Sequence, residues 1–135
     1  MPNEPEQAAR AALEQFLAAW NAADIEAVRA TLNYPHLTIG PAGHVFVADG
    51  PPAFQTDFQA MREREGWASS TFDSYEMVSS SPAKVHCMVA FSRYHADGEC
   101  YGRGRVLYIV TNHSGHWGMQ VRSGMPDERL LAARR

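Results

Sequence analysis

Four strand-like segments follow one another through the second half of the chain, at 71–79, 84–94, 101–111 and 117–123, and they constrain the fold more than any other feature. Each alternates or is rich in β-branched and aromatic residues. They are separated by the turn-forming stretches Ser-Ser-Pro, His-Ala-Asp-Gly and Asn-His-Ser-Gly. Connections this short leave no room for a crossover, so the segments are expected to pair in sequence as an antiparallel meander. Such a sheet must bury at least one face against another layer.

The first half of the chain supplies candidates for that layer. Between Glu4 and Asn21 the residues Leu13, Phe16, Leu17 and Trp20 recur at the helical spacing and mark one apolar face. Asp24 has the chemistry of an N-cap for a second helix over 25–32, where Ile25, Val28 and Leu32 continue the period and Asn33-Tyr34-Pro35 ends it. A short hairpin is expected at 36–39 and 44–47 around Gly40-Pro41-Ala42-Gly43. A third helix is expected after Asp49-Gly50, with Pro51 or Pro52 in its first turn, passing through Phe54, Phe58 and Met61 to Glu65 and stopping at Gly66. Helices followed by a meander indicate an α+β fold, a single domain over 1–135 with a mobile tail at 126–135 that carries Arg129, Arg134 and Arg135.

Composition removes several function classes. With 45% hydrophobic and 20% charged residues and a formal net charge of -3, the chain reads as an ordinary globular protein, and no basic stripe suggests a nucleic-acid partner. The long uncharged stretch at 30–48 is broken by Pro35, Gly40, Pro41 and Gly43, so no membrane span is expected. The start MPNEPEQAAR lacks a secretory pattern, which makes the cytoplasm the expected location. Cys87 and Cys100 fall on neighbouring expected strands; a disulfide between them is conceivable, but two reduced thiols are the expectation. The segment 84–94 is apolar on both sides, with Val85, Cys87, Val89 and Phe91 opposite Met88 and Ala90. A strand of that kind is covered on both sides, which suggests a homodimer through the outer face of the sheet.

The run Gln15-Phe16-Leu17-Ala18-Ala19-Trp20-Asn21-Ala22-Ala23-Asp24-Ile25-Glu26-Ala27-Val28, followed by a turn, a hairpin, a helix and four long strands, resembles the NTF2-like superfamily, including its SnoaL-like and ketosteroid-isomerase-like members. Trp117-Gly118-Met119-Gln120-Val121 resembles the family's last strand. The resemblance covers nearly the whole chain and rests mostly on core positions. It implies an NTF2-like cone, in which a curved mixed or antiparallel sheet carries three N-terminal helices on its concave face around a small apolar pocket. It does not carry the isomerase's chemistry with it. Laid on the family pattern, the helix tyrosine of the oxyanion hole falls at Phe16, the base at Gly40 and the acid at Val106 or Leu107.

Other polar groups are therefore the candidates. Tyr34 and His36 flank Pro35 at the mouth of the expected pocket, and a histidine can give or take a proton near neutral pH. The plainer alternative has Tyr34 capping the edge of the core and His36 facing water. Trp117, Met119, Val121 and Ser123 are expected to point inward together with Phe16, Trp20, Phe58, Met88 and Tyr108, forming core and lining whatever hollow remains. That lining suits a flat or ring-bearing hydrophobic small molecule. Arg103 and Arg105 share one strand face with Leu107 and Ile109. If that face is concave they favour a carboxylate ligand; if it is outer they are solvated or pair across a dimer.

The six histidines, at 36, 44, 86, 95, 113 and 116, show no close ligand spacing, so no metal is expected. Gly102-x-Gly104 lies within a strand pattern and reads as a bulge or bend rather than a phosphate loop, and no cofactor signature is found. Two functions follow. One is a small-molecule-binding protein, extending to isomerase, lyase or hydrolase chemistry in which Tyr34 and His36 supply the polar groups. The other is a non-catalytic dimerising module with a filled cone.

Overall fold

The structure, a computed structural model, describes residues 3–125; the expected mobile tail at 126–135 lies outside the described residues. Helix α1 spans Glu4–Asn21, and Asn3 caps it by accepting from the Glu6 N–H at 2.9 Å. Its buried side is Ala9, Ala12, Leu13, Phe16 and Ala19. The small alanines on that stripe let the helix axis lie close to the strands it covers.

Helix α2, Ile25–Ala30, starts at Asp24, whose carboxylate accepts from the Ala27 N–H at 3.1 Å. It stops two residues before the expected end. Thr31 turns its hydroxyl back onto the Val28 carbonyl at 2.7 Å, and buried Leu32 opens strand β1, Leu32–Ile39. Pro35 therefore lies inside a strand rather than at a helix break. Its missing N–H is harmless there: pairing with the hairpin partner β2, Val45–Ala48, begins only at His36, and the pairing with the opposite neighbour is interrupted between Leu32 and Leu37.

The expected third helix is two pieces. A 3-10 turn at Pro51–Ala53 gives way to extended backbone at Phe54, and helix α3 starts afresh at Phe58–Glu65 from an Asp57 cap. Arg29 on α2 holds the extended segment: its Nε and Nη2 donate to the Phe54 carbonyl at 3.0 and 2.8 Å. Gly66 closes α3 at φ 71°, where a side chain would also meet the His95 ring.

The meander forms as expected: β3 Ser69–Ser80, β4 Lys84–Tyr94, β5 Cys100–His113 and β6 His116–Met125, antiparallel in sequence. The sheet order is β2-β1-β6-β5-β4-β3, and β1 runs parallel to β6. Of the mixed and antiparallel arrangements expected, the sheet has the mixed one. The long chain between β1 and β6 supplies the connection that a parallel pair needs. Gly118 makes this seam possible, since a Cβ there would stand 2.9 Å from the Leu32 carbonyl carbon.

The concave face of the sheet, with Val85, Cys87, Val89, Val106, Tyr108 and Val110 all buried, packs under α1. The opposite face presents Leu37, Met88, Leu107, Ile109 and Val121, half-buried, and carries the exposed Arg103 and Arg105. Cys87 lies opposite Tyr108 and Cys100 opposite Tyr94, and both thiols are free. Among the described residues no helix is long and apolar enough to cross a membrane.

Candidate functional site

A single extra residue decides which side chains of β6 reach the concave face. Ile109 pairs with Val121 but Val110 pairs with Met119, so Gln120 is left over as a bulge. Strand alternation then changes phase. Met119 points into the core, Arg122 lies across from Tyr108 and turns inward, and Val121 and Ser123 turn to the outer face.

Beside this bulge the concave face is not filled. A cavity of about 520 Å³ opens between β1, β2 and β6 on one side and the segment from Ala53 through α3 on the other. It brings together Phe16, Trp20, His36, Tyr108 and Met119 from the expected lining. The other expected residues lie elsewhere. Phe58 stands behind Trp20, ring centroids 4.9 Å apart, and Trp117 packs at the edge of the core. Met88 and Val121 lie on the outer face, as the pairing with Leu107 and Ile109 requires. Tyr34 donates its hydroxyl to the Arg29 carbonyl at 2.8 Å, and burial pushes that phenol above its ordinary value. Tyr34 and His36 are therefore not a matched pair: the tyrosine fastens α2 to β1, and the histidine alone borders the hollow.

His36 is 3% exposed. Its Nδ1 lies 2.9 Å from the Met119 carbonyl, which can only accept, so Nδ1 carries a hydrogen and the neutral ring keeps its lone pair at Nε2. Burial holds the imidazole below its ordinary value; the Met119 bond acts the other way, and the Arg122 charge adds to the lowering. The Phe54 ring meets the imidazole edge-on at 5.6 Å. Phe54 is in turn held by the Arg29 grip on its carbonyl. The result is an uncharged, oriented proton acceptor in an aromatic wall.

The far rim is ionic. The Glu65 carboxylate accepts from the Tyr101 hydroxyl at 2.7 Å and from Arg93 at 3.1 Å, with Arg64 at 3.7 Å on its other oxygen. Burial and the bond to Glu65 push the Tyr101 phenol well up, and the His95 ring stacks on it at 4.3 Å. Among the described residues no three His, Cys, Asp or Glu side chains converge as metal ligands would.

Sequence reasoning missed Arg122, Phe54 and the Glu65 cluster. Only the run of a strand through Gln120-Val121-Arg122 hints at the first, and nothing in the spacing marks the bulge.

This architecture has known counterparts. The sequence model of a family described as NTF2-like protein (DUF6841) matches residues 4–125. The chain belongs to this NTF2-like family. No curated protein matches its sequence. Among solved structures, the NTF2-like chain is similar to Aln2 from a Streptomyces species, at 16% identity and TM-score 0.76, covering 100% of this chain and 99% of that one. It is also similar to a Catenulispora acidiphila protein solved in complex with S-DNPA, at 12% identity and TM-score 0.73, covering 94% and 96%. A ketosteroid isomerase-like protein from Erwinia carotovora atroseptica shares 22% identity with a TM-score of 0.65 over 93% and 99%. At these identities the likeness is one of fold.

Proposed function

We propose that this NTF2-like chain binds a small, ring-bearing hydrophobic molecule in the hollow of its cone, and that His36 acts on it as a hydrogen-bond and proton acceptor. The observation that carries this reading is a cavity of about 520 Å³ bordered by Phe16, Trp20, Phe54, Tyr108 and a neutral, oriented imidazole. Aromatic walls and one fixed acceptor suit a flat apolar body with a single ionisable or hydroxyl hydrogen. Such an acceptor can take the proton from carbon in a base-catalysed isomerisation or elimination, or from the attacking water in a hydrolysis. The reading calls for no cofactor.

Thermal-shift titration with planar aromatic compounds tests it. Stabilisation that rises with ligand concentration is expected, and a His36→Ala variant should lose most of that shift for hydroxyl-bearing compounds while keeping it for plain hydrocarbons. Absence of any concentration-dependent shift across such a panel would leave the non-catalytic scaffold as the better reading.

One observation favours a dimerising role beside binding. Val45 and Val47 are 55% and 56% exposed at the sheet edge, paired with Ile39 and Leu37 and so next to the apolar outer row of Leu37, Val121, Ile109 and Met88. A second copy of the chain covering that face is part of the proposal, and sedimentation that finds only monomer at micromolar protein would remove it. A cytoplasmic location, in which both free thiols stay reduced, belongs to the same reading.

A further inference from the structure

Arg122 is out of keeping with the wall in which it stands. Among the described residues the cavity is bordered by three arginines and one glutamate, which leaves two positive charges in a chain whose formal net charge is -3. Arg64 and Arg93 both lean on Glu65. Arg122 makes no hydrogen bond or ion pair with any described residue, and its neighbours across the hollow are rings and a neutral histidine. A guanidinium does not lose its proton in a protein, so its half-buried charge must be met by water or by an anion.

The residue beside it adds a second donor. Thr38 is the parallel-strand partner of Arg122 across the β1–β6 seam, and it borders the same cavity. Its hydroxyl likewise has no partner among the described residues. His36 lies two positions back along β1, on the same face. The seam thus presents acceptor, hydroxyl and guanidinium in line, with aromatic rings opposite.

Resting on the binding role proposed above, we propose that the ligand is a carboxylate: its two oxygens accept from Arg122 and Thr38 at the β1–β6 seam, and its apolar body lies against Phe16, Phe54 and Tyr108. One unspent guanidinium matches one negative charge and the two-oxygen fork of a carboxylate. A phosphate dianion would ask for a second cation beside Arg122 or a cradle of backbone N–H groups, and the other two arginines of the cavity stand with Glu65 on the far rim. The arrangement also sets the reacting end. With the carboxylate held at Arg122, the atoms nearest His36 Nε2 are those next to the carboxylate.

Calorimetric titration with 2-naphthoate and its neutral counterpart 2-naphthylmethanol at pH 7.5 tests this on the full chain. The native protein should bind the naphthoate about tenfold or more tightly than the alcohol. Arg122→Gln should bring naphthoate down to the alcohol's affinity and leave the alcohol unchanged, which doubles as proof that the variant is folded. Thr38→Val should weaken naphthoate alone by about two- to tenfold. Equal affinity of the native protein for both probes, or a naphthoate preference that survives in Arg122→Gln, would overturn the carboxylate assignment and leave the cavity intact. Failure of the native protein to bind either probe would overturn the binding role itself, and this inference with it.

Discussion

The two halves of the cone are built on different terms. Under α1, β4 and β5 pair without a break from Val85 to Val89 and from Val106 to Val110, and Val85, Cys87, Val89, Val106 and Val110 close against Ala9, Ala12 and Leu13 without a gap large enough to hold a ligand. At the other half, β1 meets β6 in a parallel seam interrupted between Leu32 and Leu37, β6 bulges at Gln120, and the third helix breaks at Phe54. Each irregularity re-aims a side chain, and the re-aimed ones are those around the hollow. The register breaks of β1 and β6 surround a hollow, whereas those of the edge strand β3, between Phe72 and Ser74 and between Met77 and Ser79, lie outside it.

Truncation in the closed half should show the largest effect. Leu13 on α1 is 0% exposed, in the cluster that holds Val85, Cys87 and Val89. Leu13→Ala should cost about 2–5 kcal/mol in urea unfolding. A loss below about 1 kcal/mol would mean that this half is not the closed one.

The seam comes next. Gly118→Ala pushes a methyl against the Leu32 and Asn33 backbone, and about 1–3 kcal/mol of destabilisation is expected. Because β1 carries His36 and Thr38, this variant should also lose ligand binding, whereas a core variant of equal stability cost should keep it. Equal loss of binding in both would erase the distinction between the halves.

A smaller effect is expected from pH. His36 is held below its ordinary value of 6.5 by burial first, so the unfolded chain takes up a proton at a higher pH than the folded one. Stability should therefore be full above about pH 6.5 and fall as acid carries the solution below it toward the folded value. His36→Gln should flatten that part of the curve. A native profile that stays level from pH 7 to 5 would show that the imidazole is not desolvated.

The smallest effect is chemical. Burial pushes the Cys87 thiol up to about 11, and the side chain is 0% exposed, whereas Cys100 is half-buried at the start of β5. Iodoacetamide at pH 7.5 should modify Cys100 alone until the protein is unfolded. Modification of Cys87 in the native state would show that the closed half opens.

Much of the closed half was legible in the sequence. The helical stripe Leu13, Phe16, Leu17, Trp20 and the alternation of Val85, Cys87 and Val89 report burial directly, because an unbroken period maps residue type onto side. The hollow was less so. Trp117, Met119, Val121 and Ser123 were expected to share a side, and the bulge at Gln120 sends the last two away and turns Arg122 in. The extended segment at Phe54 is held by Arg29, 25 residues earlier in the chain, and no local pattern contains that contact. The two open readings for Arg103 and Arg105 were separated by the pairing of Arg105 with Ala90, on the side away from the helices. The cationic role envisaged for them in a concave setting falls to a residue of the next strand.

The parallel seam also orders events during synthesis. β2 can zip onto β1 as soon as the hairpin emerges, but the inner edge of β1 has no partner until β6, the last strand described, has left the ribosome. Until then an apolar two-stranded ribbon carrying Val45, Phe46 and Val47 waits with its backbone groups open on that edge. For most of translation, the part of the molecule that will border the hollow keeps an open strand edge, the kind of surface that chaperones shield.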